Sequence, residues 1–192
     1  LAAAPRCAQI GDKADKAGVQ QVPIVPANLI PPSPPLSAEE ALRAFKVAPG
    51  YRIELVAEAP LVRHPTVLQF APDGRLWVVE MTGYMENYDG TTEDQAKGRV
   101  VVLEDTDGDG RMDKRTVFLD NIILPRALVL HRDGVLVGAP PHLWFCRDTD
   151  GDGKADEKTE VATDFGVRVD PARPQLSNPE RAPNALLWGH DG

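Results

Sequence analysis

One pattern recurs along this chain and constrains its fold more than any other: an apolar strand, Asp-Gly, and a second apolar strand. It occurs as Thr66–Glu80 around Asp73-Gly74, as Arg126–Gly138 around Asp133-Gly134, and as Asn184–Gly192 ending on Asp191-Gly192. Asp-Gly between alternating apolar residues signals a β-hairpin, because the tight hairpin turn wants positive φ at its centre. Each of the first two hairpins is followed by two more apolar runs around an aspartate-rich loop. Val100–Glu104 enters the first loop and Thr116–Leu119 leaves it; Leu143–Cys146 enters the second and Thr159–Ala162 leaves it. Four antiparallel strands per unit, repeated, predict an all-β chain forming the first two to three blades of a β-propeller, a six- or seven-bladed ring when complete. The aspartate loops start 43 residues apart, and the Asp-Gly turns lie 60 and 58 residues apart. Excursions at 82–98 and 165–182 account for the difference, and such insertions gather on one face of a propeller. Two and a fraction blades leave sheet edges open, and the third hairpin stops at its turn, so the sequence reads as the N-terminal part of a longer ring.

Before the repeats, residues 1–9 resemble the tail of a secretory signal, with small residues at alternate positions. Residues 10–36 form a proline-rich leader, expected to be extended, and the propeller domain runs over 37–192. Ser37-Ala38-Glu39-Glu40 is a capping box that opens a short helix to about Phe45. Tyr51–Ala57 alternates with period two and reads as a strand.

The aspartate loops are Asp105-Thr-Asp107-Gly-Asp109-Gly110-Arg-Met-Asp113 and Asp148-Thr-Asp150-Gly-Asp152-Gly153-Lys-Ala-Asp156. Clustered carboxylates around a sharp glycine turn suit Ca²⁺, a hard ion that takes six to eight oxygens. The expected metal ligands are Asp105, Asp107, Asp109 and Asp113 in one loop and Asp148, Asp150, Asp152 and Asp156 in the other. These are not EF-hands, because the twelfth position is Thr116 or Thr159 and strand-like sequence flanks both loops. Three readings stay open: solvated turns, a calcium that pins the hairpin, and a part in regulation or chemistry. Repetition in both units favours the second. The eight loop aspartates also match the net charge of −8, so the rest of the chain is near balance. With no basic stripe, nucleic acid is not an expected partner. No run of 18 apolar residues suggests a transmembrane segment.

Other chemistry is sparse. Cys7 and Cys146 make no disulfide framework, and Cys146 reads as a buried thiol in a strand. His64, His131, His142 and His190 form no metal-binding pair, and neither a nucleophile elbow nor a phosphate loop occurs. Glu80, Arg126 and Asn184 stand at strand ends or connections, where propeller sites form, and are catalytic candidates. Structural polar residues at blade edges are their other reading.

The runs Phe70–Met81, Leu103–Gly110, Leu124-Pro-Arg126-Ala and Val137-Gly-Ala-Pro140 resemble the sorbosone/glucose dehydrogenase-like propellers. Within them, the likeness is to the large exported "membrane-bound dehydrogenase" proteins of planctomycete-type bacteria, many of which carry a C-terminal c-type cytochrome. The resemblance covers about residues 37–192. It implies a periplasmic or extracellular protein that oxidises a small sugar or alcohol with pyrroloquinoline quinone (PQQ) and passes electrons to a c-type haem further along the chain or to a cytochrome. A departure falls in Asn178-Pro-Glu180-Arg181-Ala-Pro-Asn184, where the family commonly has a histidine that serves as base. Arg181 stays protonated and cannot take that proton. It and Arg126 could instead hold a cofactor carboxylate. The competing expectation is a non-catalytic propeller that binds a protein or polysaccharide, with calcium purely structural.

Overall fold

The computed structural model describes residues 27–29, 32, 34–86, 92–165 and 183–190. The signal-like stretch 1–9 with Cys7, most of the leader, Arg181 and nearly all of the 165–182 excursion lie outside the described residues. Within the leader, Ala27–Leu29 is a single 3-10 turn.

Helix α1 spans Ala38–Ala44, and both halves of its capping box form. The Glu40 N–H donates to Ser37 Oγ at 3.3 Å, and the Ser37 N–H donates to Glu40 Oε2 at 2.9 Å. These bonds satisfy N–H groups that a helix start leaves without partners. The helix buries no residue, so local capping rather than packing specifies it.

Eight strands follow: β1 Pro65–Phe70, β2 Leu76–Glu80, β3 Gly98–Glu104, β4 Lys114–Ile122, β5 Ala127–His131, β6 Gly134–Ala139, β7 His142–Arg147 and β8 Glu157–Ala162. They form two four-stranded antiparallel sheets, ordered β1-β2-β3-β4 and β5-β6-β7-β8. The first strands, β1 and β5, touch across the sheets. Leu130 N–H donates to Gln69 Oε1 at 3.0 Å there.

The sheets pack face to face on Trp77, Val79, Val100, Val102 and Phe118 from one side and Leu128, Val135, Val137 and Cys146 from the other. Trp77 meets Phe118 edge-on, with centroids 4.7 Å apart. Each such apolar side chain contributes about 1.5–3 kcal/mol by leaving water. The opposite face of the first sheet is also covered. There Leu76, Val78, Val101 and Leu103 pack against Val56, Ala57, Leu61, Val62 and Met112. Burial on both faces explains why Leu76-Trp-Val-Val79 is continuously apolar. Cys146 is fully buried, as expected, and burial pushes its thiol pKa up to about 11. At neutral pH it is an inert core thiol.

Three details differ from the sequence reading. The first hairpin closes through three residues, with Ala71 opposite Arg75, and only Gly74 in the left-handed region at φ 89°. It is therefore a type I turn with a glycine bulge rather than a two-residue turn. In the second hairpin the loop is Arg132-Asp133, with positive φ at Arg132, and Gly134 already pairs with His131 in the strand. Gly134 is required for space: a Cβ there would sit 2.6 Å from the Cys146 carbonyl oxygen. Finally, neither Tyr51–Ala57 nor 183–190 forms a strand, because no described strand lies beside either to complete a ladder. The third Asp-Gly lies outside the described residues.

A close approach also sets Gly98. A Cβ there would overlap Pro125 Cδ and lie 2.7 Å from Pro125 Cγ and 2.8 Å from the Ile122 carbonyl oxygen. A proline ring and a backbone carbonyl cannot step aside cheaply. Gly98→Ala is expected to cost about 3 kcal/mol, read as a lowered denaturant midpoint with unchanged slope. A midpoint equal to the parent's would show that the β3–β4 pairing can yield.

Candidate metal loops and the cavity at the strand ends

The two aspartate loops connect β3 to β4 and β7 to β8. The same hydrogen bonds shape both. In the first, Asp105 accepts from the N–H groups of Gly108 at 2.7 Å and Gly110 at 2.9 Å; Asp148 accepts from Gly151 and Gly153 at 2.7 and 2.9 Å. Asp109 accepts from the Arg111 N–H at 2.7 Å, and Asp152 from the Lys154 N–H at 2.8 Å. Across each loop a threonine closes the turn. Thr106 Oγ1 donates to Asp113 at 2.8 Å and Thr149 Oγ1 to Asp156 at 2.8 Å. All four loop glycines have φ between 78° and 91°. This conformation is easily reached only without a Cβ.

This wrapping brings carboxylates together. Ligand oxygens of Asp105, Asp107 and Asp109 lie within 4.8 Å of one another, as do those of Asp148, Asp150 and Asp156. Three of the four expected ligands converge in each loop, and the triples differ. Asp113 and Asp152 stay outside their triples. Asp113 accepts from Thr106 and Asp152 from the Lys154 N–H, bonds that Asp156 and Asp109 also make inside their triples. The donor set is all oxygen and anionic, which fits Ca²⁺ better than a softer ion. Asp105 and Asp148 have lowered pKa values, chiefly through the Gly110 and Gly153 N–H groups that favour the carboxylate. A depressed folded-state pKa stabilises the loop above the ordinary aspartate pKa, and that contribution is lost as pH falls through the lower value.

Each loop also reaches back to the element before it. The Ala155 N–H donates to the Phe118 carbonyl at 2.7 Å, tying the second loop to β4. The Met112 N–H donates to the Val56 carbonyl at 2.8 Å, tying the first loop to the segment ahead of β1.

A separate cavity of about 410 Å³ opens at one end of the sheets, lined by Thr66, Met81, Tyr84, Arg126 and Asn184. Two catalytic candidates, Arg126 and Asn184, thus meet. Arg126 is only 7% exposed, and its backbone N–H is fixed on the Gly138 carbonyl at 3.0 Å. A signal for this pairing was present in the sequence: Pro125-Arg126-Ala127-Leu128 and Pro183-Asn184-Ala185-Leu186 occupy matching places in successive repeats. Thr66 and Tyr84 were missed as lining residues, although Tyr84 belongs to the 82–98 excursion expected to shape a site.

Glu80 is not part of this cavity. It shares the face of Leu76 and Val78, is 1% exposed, and is consumed by internal bonds. Its Oε1 accepts from the Arg63 N–H at 3.0 Å, and its Oε2 pairs with Arg115 Nη2 at 2.9 Å. Nor do the histidines gather at a site. His142 contacts Glu160 and stacks on Trp144, whose ring also carries Lys158 Nζ at 4.2 Å. His131 lies against Trp188, whose Nε1 donates to the Leu130 carbonyl at 3.0 Å. Among the described residues, no helix is long and apolar enough to cross a membrane.

A family model described as "Domain of unknown function (DUF7133)" matches residues 37–192. No curated protein and no solved structure matches the chain.

Proposed function

The chain belongs to the DUF7133 family, and we propose that it is part of an exported, calcium-binding β-propeller whose cavity serves sugar or alcohol oxidation. Two sheets in sequential strand order, with their first strands in contact, support the propeller reading. The matching aspartate loops support calcium at Asp105, Asp107 and Asp109 and at Asp148, Asp150 and Asp156. Asp113 and Asp152 complete the expected set. Because each loop is bonded to the preceding element, an ion there would fasten neighbouring units together as well as its own hairpin.

The observation that carries the oxidative reading is the cavity in which a nearly buried arginine meets Asn184, Thr66 and Tyr84. A guanidinium with amide and hydroxyl groups suits a cofactor bearing carboxylates, and the sequence likeness points to PQQ. Bound PQQ would supply the two-electron acceptor. Arg126 would anchor a carboxylate, and Asn184, Thr66 and Tyr84 would orient hydroxyl or carbonyl groups. Arg181, from the same likeness, is a second candidate anchor. Onward transfer to a c-type haem or a separate cytochrome follows from the likeness alone.

One observation favours the rival, a propeller that binds a protein or polysaccharide without catalysis. None of the five lining residues among those described is a carboxylate or histidine, so among them there is no ready proton acceptor. Dye-linked oxidation over a panel of sugars and alcohols, with PQQ and Ca²⁺ added, separates the two. Turnover that Arg126→Gln abolishes is the expected result. Sugar binding without turnover would sink the redox reading and leave the binding one.

A further inference from the structure

The segment ahead of β1 stands to the first sheet as β4 stands to the second. Met112 and Ala155 hold the same place in their loops, and each donates its N–H backwards, to Val56 and to Phe118. Val56 precedes the first residue of β1 by nine positions, and Phe118 precedes the first residue of β5 by nine. Val56 and Ala57 both pack on the first sheet, as Phe118 and Leu119 both lie in the core between the sheets. In β4 this doubling has a cause. Val100 pairs with Leu119 and Val101 with Val117, so Phe118 is an extra, bulged residue. A bulge takes a residue out of the ladder, which leaves its carbonyl for Ala155.

We infer that Tyr51–Ala57 is the fourth strand of a further sheet of this kind, and that its open edge receives, antiparallel, the third strand of an incoming three-stranded sheet. The occupant is thus a β3-like strand, apolar at alternate positions, held by main-chain hydrogen bonds. The alternation of Tyr51-Arg-Ile-Glu-Leu is that of a strand, and no described strand pairs with it. Continuity with the sheet-to-sheet interface is the argument for this occupant, since β4 uses one side for the next sheet and its edge for β3. The inference does not depend on calcium or on redox chemistry.

The test uses residues 1–192 and, as probe, a synthetic peptide of residues 96–106, which carries β3. Amide hydrogen exchange over 50–57 is measured with and without saturating peptide. Slowing of about tenfold or more there, with β1 and β8 unchanged, is the expected result. A paired Ile53→Pro/Glu54→Pro variant should lose the effect while β2–β4 exchange as in the parent. Neighbouring strand residues face opposite edges, so the pair removes one edge donor whichever way the strand lies. Three outcomes would overturn the inference: no slowing at 50–57, equal slowing at β1 or β8, or persistence of the effect in the variant. Protection that instead rises with the chain's own concentration would give the edge to a second copy and overturn it too.

Discussion

Glu80→Ala is expected to destabilise the chain by about 3–5 kcal/mol, a large part of the 5–15 kcal/mol that holds a typical domain together. The carboxylate is 1% exposed and joins three pieces of chain: its own strand β2, β4 through Arg115, and the segment ahead of β1 through the Arg63 N–H. Its removal leaves the Arg115 guanidinium, itself largely covered, without its carboxylate, and leaves the Arg63 N–H without an acceptor. Glu80→Gln keeps an acceptor for Arg63 but not the charge, so it should fall between the two. Arg115→Ala should cost a similar amount by stranding Glu80. The double variant should cost much less than the sum, because then no buried charge is left unmatched. Chemical denaturation of the four proteins measures this. Strictly additive losses would mean that the two side chains act separately.

Calcium gives the second large expectation. Two sites, each at about a hundredfold excess of ion over Kd, would add roughly 5 kcal/mol and raise Tm by about 10 °C or more. Asp107→Ala and Asp150→Ala should each remove about half of that rise. These positions separate ion binding from loop folding. Without metal each accepts only one backbone N–H, at 3.2 and 3.1 Å, whereas Asp105 and Asp148 hold two apiece. The variants should therefore melt near the parent in chelator and below it in calcium. Equal melting with and without the ion, in the parent, would remove calcium from the account.

Much of the fold could be read in advance because its signals are local. Apolar runs on either side of the Asp-Gly turns and the aspartate loops placed the eight strands, and the loops marked where β3 turns into β4 and β7 into β8. The capping box at Ser37 is likewise contained within four residues. What could not be read depends on distant contacts. Gly134 looked like a turn residue, yet it is small because the Cys146 carbonyl lies against it. Tyr51–Ala57 has a strand's alternation, but a strand is defined by its neighbour, and local sequence does not name one. The site shows the same division. The aspartates are local and were found. Glu80 was grouped with Arg126 because both stand near strand ends, although its parity with Leu76 and Val78 puts it on the opposite face of the sheet. The meeting of Arg126 with Asn184 becomes visible only when the repeats are superimposed.

The backward hydrogen bonds of Met112 and Ala155 give the array a polarity. Both aspartate loops lean on the element made before them, and among the described residues neither donates a backbone hydrogen bond to an element made after. Energetically this is a one-dimensional chain of nearest-neighbour couplings with a preferred direction. As the polypeptide leaves the ribosome, each new aspartate loop therefore meets a seat already in place. Heating should undo the array in the opposite sense, peeling β5–β8 from a first sheet whose other face stays covered by Val56, Ala57, Leu61 and Val62.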